Sequence, residues 1–206
     1  MDLDFSVDFK QLERALSDVM QRQLPFAMML ALNDTAADVK DAEERDLEKT
    51  FDRPTPFTKR GVYVKRASKS TLTATVGMKP VQAQYLKLHA SGGIRLPKRR
   101  ALVIGAGLRR NKYGNLPKGA MKRAEAKGDT FVAGKRGGGS QLAPGLYQRG
   151  KGARGRGKIK LLVSFEPRAQ YKKRLEFQPV ALRRARGVYE AHLVRRLKQS
   201  QATARK

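Results

Sequence analysis

The chain has 206 residues, 40% of them apolar, with eight Phe, six Tyr, no Trp and no Cys, which excludes a disulfide framework, a thiol nucleophile and any cysteine-based zinc or iron–sulfur centre. Net charge is +27 and its signs are segregated: residues 1–52 hold 13 acids and 6 bases, residues 53–206 hold 5 acids and 39 bases. A monomer this basic repels itself and collects polyanions, which points away from a lone small-metabolite enzyme and toward nucleic acid, an acidic partner or the acidic part of a neighbouring copy.

Leu3, Phe5, Val7 and Phe9 alternate with Asp4, Ser6 and Asp8, the pattern of a short half-buried strand. Asp8 or Ser6 then caps a helix with Phe9, Leu12, Leu16 and Val19 on one face and Met20 beside them. Pro25 restarts the chain at a first-turn position, and a second helix runs from about Pro25 to Thr50. Its first half, Phe26 to Leu32, is apolar all round and must be covered on more than one side. Its second half carries Asp38, Asp41, Glu43, Glu44, Asp46 and Glu48 and is expected to be exposed. The apolar run from Leu24 to Leu32 is far shorter than the roughly 20 residues of a membrane span. The start Met1-Asp2-Leu3-Asp4 is acidic where a signal peptide is basic, so a soluble protein without a standard export signal is expected.

Arg53-Pro54-Thr55-Pro56 ends the second helix. Strands are expected over Gly61–Lys65 and Thr71–Met78, with a turn at Ala67–Ser70. A short helix follows over Val81–Leu88, begun by Pro80 and stopped by Gly92-Gly93. A brief strand covers Ala101–Ile104, and Asn111–Gly119 is rich in turn residues. Another strand covers Thr130–Ala133. Gly134 to Gly157 contains nine glycines and reads as an exposed loop with room for a short strand at Leu146-Tyr147. Lys158–Phe165 is a strand. Pro179–Gln199 is a helix with Ala181, Ala185, Val188, Leu193 and Leu197 on one face, cover for the apolar second helix, and a frayed tail follows from Ser200. The expected class is α+β: an N-terminal helical pair, a small, mostly antiparallel sheet and a long C-terminal helix. It is read as one domain over 1–199, with acidic helices (8–50), a basic β-rich body (57–166) carrying the Gly/Arg-rich loop (134–157), a C-terminal helix (179–199) and a flexible tail (200–206).

Catalytic constellations are poor. His89 and His192 have no carboxylate at ligand spacing and read as surface histidines. Asp34, Asp38 and Asp41 share a helical face and offer the oxygen donors a hard cation takes, but an acidic helix half reads as a solvated or docking face. No metal, cofactor or catalytic residue is assigned. Gly150-Lys151-Gly152-Ala153-Arg154-Gly155 matches GxGxxG, yet a strand follows it where a dinucleotide site needs a helix. The informative side chains are basic. Arg95, Lys98, Arg99, Arg100, Arg109, Arg110 and Lys112 cluster around a short apolar strand, and Lys135, Arg136, Arg149, Lys151, Arg154, Arg156 and Lys158 decorate the glycine loop. Such groups neutralise phosphates or meet an acidic protein surface. With only Tyr113 and Tyr147 among them for stacking, nucleic-acid contact would go to the backbone without sequence preference.

Several phrases in order carry a resemblance: Ala31-Leu32-Asn33-Asp34-Thr35-Ala36, Phe51-Asp52-Arg53-Pro54-Thr55-Pro56-Phe57-Thr58, Leu72-Thr73-Ala74-Thr75-Val76, Tyr85-Leu86 before Gly92-Gly93, Lys98-Arg99-Arg100-Ala101-Leu102, Asn111-Lys112-Tyr113-Gly114-Asn115-Leu116-Pro117, Phe131-Val132-Ala133-Gly134 and Leu146-Tyr147-Gln148-Arg149. Over roughly residues 8–198 the chain resembles the bacteriophage minor tail and tail-completion (neck) proteins of the lambda minor tail protein Z type. The stretch Arg136–Gly157 departs from that pattern in length and Gly/Arg content. The resemblance implies a non-enzymatic virion protein of the neck or proximal tail, assembled in the host cytoplasm, forming a ring on the virion axis at head–tail joining. Its implied partners are further copies of itself, portal, adaptor or tail proteins, and genomic DNA through phosphates, with no membrane. Segregated charge suits such a ring, the acidic helix half of one subunit meeting the basic part of the next. The alternative is a basic, non-sequence-specific nucleic-acid-binding protein acting free of a virion.

Overall fold

The computed structural model describes residues 2–6, 18–134, 141–150 and 157–204. The chain mixes helices with small antiparallel sheets and ends in a long helix. It gathers into two compact units, one of Met1–Ala90 with Lys173–Lys206 and one of Ser91–Lys172.

The first unit is built on two long helices, α1 (Asp18–Thr50) and α5 (Phe177–Ala204), which make the most extensive contact between elements. Leu24, Ala27, Met28, Ala31, Leu32, Ala36, Val39 and Leu47 are buried along α1, at the three- and four-residue steps that keep one face toward the core. The acidic second half was expected to be exposed. Instead Val39, Glu43 and Leu47 continue the buried stripe, because spacing decides which positions face α5 and charge does not. Pro25 does not restart the chain but lies inside α1. It removes one helical donor and crowds the Gln21 carbonyl, a cost of about 3 kcal/mol, and its neighbours Leu24, Ala27 and Met28 are buried. The expected first helix of the N-terminal pair falls largely on residues outside the described set, and its end, Val19-Met20, already belongs to α1.

The strands β1 (Asp2–Ser6), β2 (Val62–Lys65) and β3 (Thr73–Met78) form an antiparallel sheet in the order β1-β3-β2. Leu3 and Val64 both stand opposite Val76, and Val62, Ala74, Val76 and Met78 join the α1–α5 core. Two short helices complete this unit. In α2 (Pro56–Lys59) the Thr55 hydroxyl accepts from the Thr58 N–H while Pro56 takes the first position, the N-terminal chemistry helices prefer. In α3 (Pro80–Ser91) Leu86 and Gln82 face inward, and the helix stops at Gly92, whose φ of 72° suits glycine. On α5, Phe177, Ala181 and Ala185 are buried, while Val188, Leu193 and Leu197 are half-buried. The frayed tail expected from Ser200 is instead helix. Ser200 is buried, its hydroxyl donates to the Leu197 carbonyl, and no Gly or Pro follows to stop the helix before Ala204.

The second unit has a two-stranded ribbon of β4 (Gly93–Arg95) and β9 (Ala169–Tyr171) and a four-stranded antiparallel sheet. The sheet order is β5-β8-β7-β6, from β5 (Leu102–Gly105), β6 (Thr130–Ala133), β7 (Gly145–Arg149) and β8 (Ile159–Glu166). Its core is Ala124 of the short helix α4 (Ala120–Glu125) with Leu146, Leu162 and Val163, flanked by Leu108 and Phe165. Within the glycine-rich stretch the short strand expected at Leu146-Tyr147 is β7, where Gly145, Leu146 and Tyr147 are buried rather than exposed. The loop expectation for residues 135–140 and 151–156 lies outside the described residues. No helix among the described residues is long and apolar enough to cross a membrane.

Candidate polyanion and partner interface

The sequence of the second unit contains 21 Lys and Arg against three acids, Glu125, Asp129 and Glu166. Two of those acids are engaged locally. Gln148 donates to Asp129 at 2.8 Å, and the Ser164 hydroxyl donates to Glu166. Among the described residues no salt bridge uses a base of this unit. Field lines from these cations therefore end in solvent or on a partner, the condition for collecting a polyanion.

Arg95, Lys98, Arg99, Arg100, Arg109, Arg110, Lys112, Arg149 and Lys158 are all exposed. Arg95 closes β4, and Lys98–Arg100 form the bend that leads to β5. Arg110 turns back and donates to the Gly105 carbonyl at 2.7 Å. The loop beyond is shaped by Asn111, whose side-chain oxygen accepts from the N–H groups of Tyr113 and Asn115, with Gly114 at φ 76°. This local bonding is the physical content of the Asn111–Pro117 phrase. Lys112 stands over the Tyr113 ring at 5.1 Å. The structure brings Arg95 and Arg110 to one cleft of about 570 Å³, lined also by β5, Asn115, Leu116 and Tyr171. Arg149 belongs to another place. It lies 4.9 Å over Phe131, which stacks on Tyr147 at 5.8 Å, and Lys158 is next to it through the Gly150 N–H to Lys158 carbonyl bond. Arg136, Lys151, Arg154 and Arg156 lie outside the described residues.

A second set of charges, in the first unit, pairs acids of α1 with bases of α5, a pairing the sequence alone does not show. Asp34 accepts from Arg195 at 2.8 Å and from two nitrogens of Arg196 at 2.7 and 2.9 Å. The bonded Arg196, helped by Arg195 and opposed by burial, holds the Asp34 carboxyl below the usual carboxylate range. Asp38 meets Arg184 and the His192 ring, each at 3.1 Å. His192 therefore does have a carboxylate beside it, one remote in sequence. Asp34 and Asp38, read earlier as possible cation ligands or as the face that meets the next subunit, are used by the arginines of their own α5. His89 packs edge-on to Phe51 at 4.9 Å, and burial and Arg174 lower its pKa. The sequence signal for the α1–α5 pairs is modest: acids at four-residue steps on one helix and bases at helical steps on another.

Glu43 is fully buried, and neither of its oxygens has a hydrogen-bond partner among the described residues. Burial pushes its pKa up to about 8, Asp46 adds to the effect, and the Ala181 backbone opposes it. Comparison with protein-family models, with curated proteins and with solved structures finds no match.

Proposed function

We propose that this protein is a non-enzymatic structural component of a bacteriophage neck or proximal tail, acting in tail completion and head–tail joining as a ring on the virion axis. The observation that carries the proposal is the ordered set of family-like phrases from Ala31 to Arg149. Several of those phrases also hold a structural role in the chain. Asn33 clamps the Ala67 backbone through two hydrogen bonds, Thr55 caps α2, and Asn111 shapes its turn. The basic unit supplies the polyanion side of the proposal, against DNA phosphates or the acidic surface of a portal, adaptor or tail ring. With Asp34 and Asp38 occupied within the chain, contacts between copies would use other surfaces.

The test is protein mass spectrometry of washed, DNA-filled particles from cells that express the chain. The expected result is a fixed copy number per particle, with labelled antibody at the head–tail junction. Abundance in infected cells and absence from washed particles overturns the proposal and favours a nucleic-acid-binding protein free of the virion.

A further inference from the structure

We propose that the free edge of β5 is a docking groove that takes an extended, acidic segment of a partner protein as an added strand. The backbone directions follow from register. The Phe165 N–H donates to the Pro144 carbonyl on the β7 side, so Phe165 turns its polar backbone groups toward β7 and Ser164 turns its own toward β5. Ile104, opposite Ser164, and Leu102, opposite Glu166, therefore bond to β8. Val103 and Gly105 point the other way, off the edge of the sheet. Arg110 caps the Gly105 carbonyl. The Val103 N–H and carbonyl and the Gly105 N–H have no partner among the described residues. Such a row of open donors and acceptors is the template for strand addition.

The chemistry of the occupant follows from what surrounds that row. The cleft along β5 has a mixed floor, more polar than apolar, whose apolar part includes Val103, 51% exposed, and Leu116. Its charged side chains are Arg95 and Arg110, and no acid lines it. The acid nearest in register, Glu166, already accepts from Ser164. A segment alternating acidic and β-branched residues satisfies all three features at once: amide bonds to Val103 and Gly105, apolar contact with the floor, and carboxylates for the arginines. A nucleic-acid strand offers phosphates but no row of amides, and it leaves the apolar part of the floor uncovered. The β5 proposal does not depend on the virion assignment.

The probe is a short dye-labelled peptide of alternating Glu and Val, titrated by fluorescence anisotropy into the whole protein at about 0.15 M salt, where long-range attraction is screened. Its twin is N-methylated at alternate residues, keeping charge and composition but losing edge hydrogen bonds. The alternating peptide should bind at least about tenfold more tightly than the twin, and amide shifts should centre on Val103 and Gly105. Val103→Pro should remove the difference, since its N–H faces away from β8 and no ladder bond is lost. Arg95→Glu, which leaves the backbone intact, should weaken both peptides. Equal binding of the twin, wild-type behaviour of Val103→Pro in a folded protein, or no saturable binding of the alternating peptide overturns the proposal. So does an oligonucleotide that shifts the β5 amides where the peptide does not.

Discussion

Glu43 lies in the row Val39, Glu43, Leu47 on the buried face of α1, where an isolated carboxyl is tolerated only with its proton on. Its folded pKa of about 8 stands well above the usual carboxylate range. The folded state holds the proton more tightly, so stability is greatest below the unfolded pKa and is lost as pH rises through the folded one. Between those limits the loss is on the order of a few kcal/mol. Glu43→Leu should remove this slope and be the more stable protein at pH near 8, with the difference shrinking toward acid. Urea unfolding across that range, with unchanged m, measures it. A steeper alkaline loss in the variant than in the parent would show that Glu43 is not the cause. Glu43 was legible in spacing, as a member of the four-residue row, and hidden by chemistry, because acids read as solvated. Asn33 was legible only as part of a phrase. Its hold on Ala67 joins residues far apart in sequence, and no local pattern encodes that.

At the scale of elements, α1 and α5 are joined by apolar contact along one stripe and by Asp34 and Asp38 against Arg184, Arg195 and Arg196 beside it. Asp34 accepts three charge-assisted bonds and is largely screened from water. Asp34→Ala should cost about 1–3 kcal/mol near neutral pH. Its carboxyl is depressed in the folded state, so this contribution is present above the unfolded pKa and is lost as pH falls through the folded one. The parent and variant should therefore converge in acid, as for Glu43→Leu, but here the parent and not the variant is the more stable protein at neutral pH. Divergence in acid would contradict the assignment. Most strands and both long helices were readable from alternation and helical spacing. The ribbon β4–β9 and the helices α2 and α4 were not. They are three to six residues long, too short to show a period, and tertiary pairing defines them.

At the scale of the molecule, one strongly basic unit is inserted within the sequence of another. The glycines at 92 and 93 mark the end of α3 but carry no sign that the chain leaves one core for another, since a helix stop and a unit boundary use the same residues. The His89 carbonyl accepts from the N–H groups of Arg174 and Leu175, so the points where the chain leaves the first unit and returns to it are adjacent. Replacing Ser91–Lys172 with a short Gly-Ser linker should therefore leave the first unit folded, with cooperative urea unfolding and the Glu43 pH slope intact. The shortened chain should also lose most salt-sensitive binding to duplex DNA, whose log–log slope in the parent is about −0.9 per phosphate neutralised. A shortened chain that binds DNA with the parent's slope would place the polyanion surface elsewhere.

The late position of α5 bears on synthesis. As the chain leaves the ribosome, residues 91–172 emerge as one continuous stretch and can close their own core. The stripe from Leu24 to Leu47 waits for Phe177, Ala181 and Ala185, which emerge only after the whole second unit. At about 5–20 residues per second the delay between Thr50 and Phe177 is on the order of ten seconds. Through that interval an apolar helix face stands open to every neighbouring nascent chain. Chains stalled with α5 not yet made should thus be caught by general chaperones or aggregate, while chains stalled on a linker that carries Ala204 clear of the ribosome should not, and ribosome-bound fractions would show the difference directly.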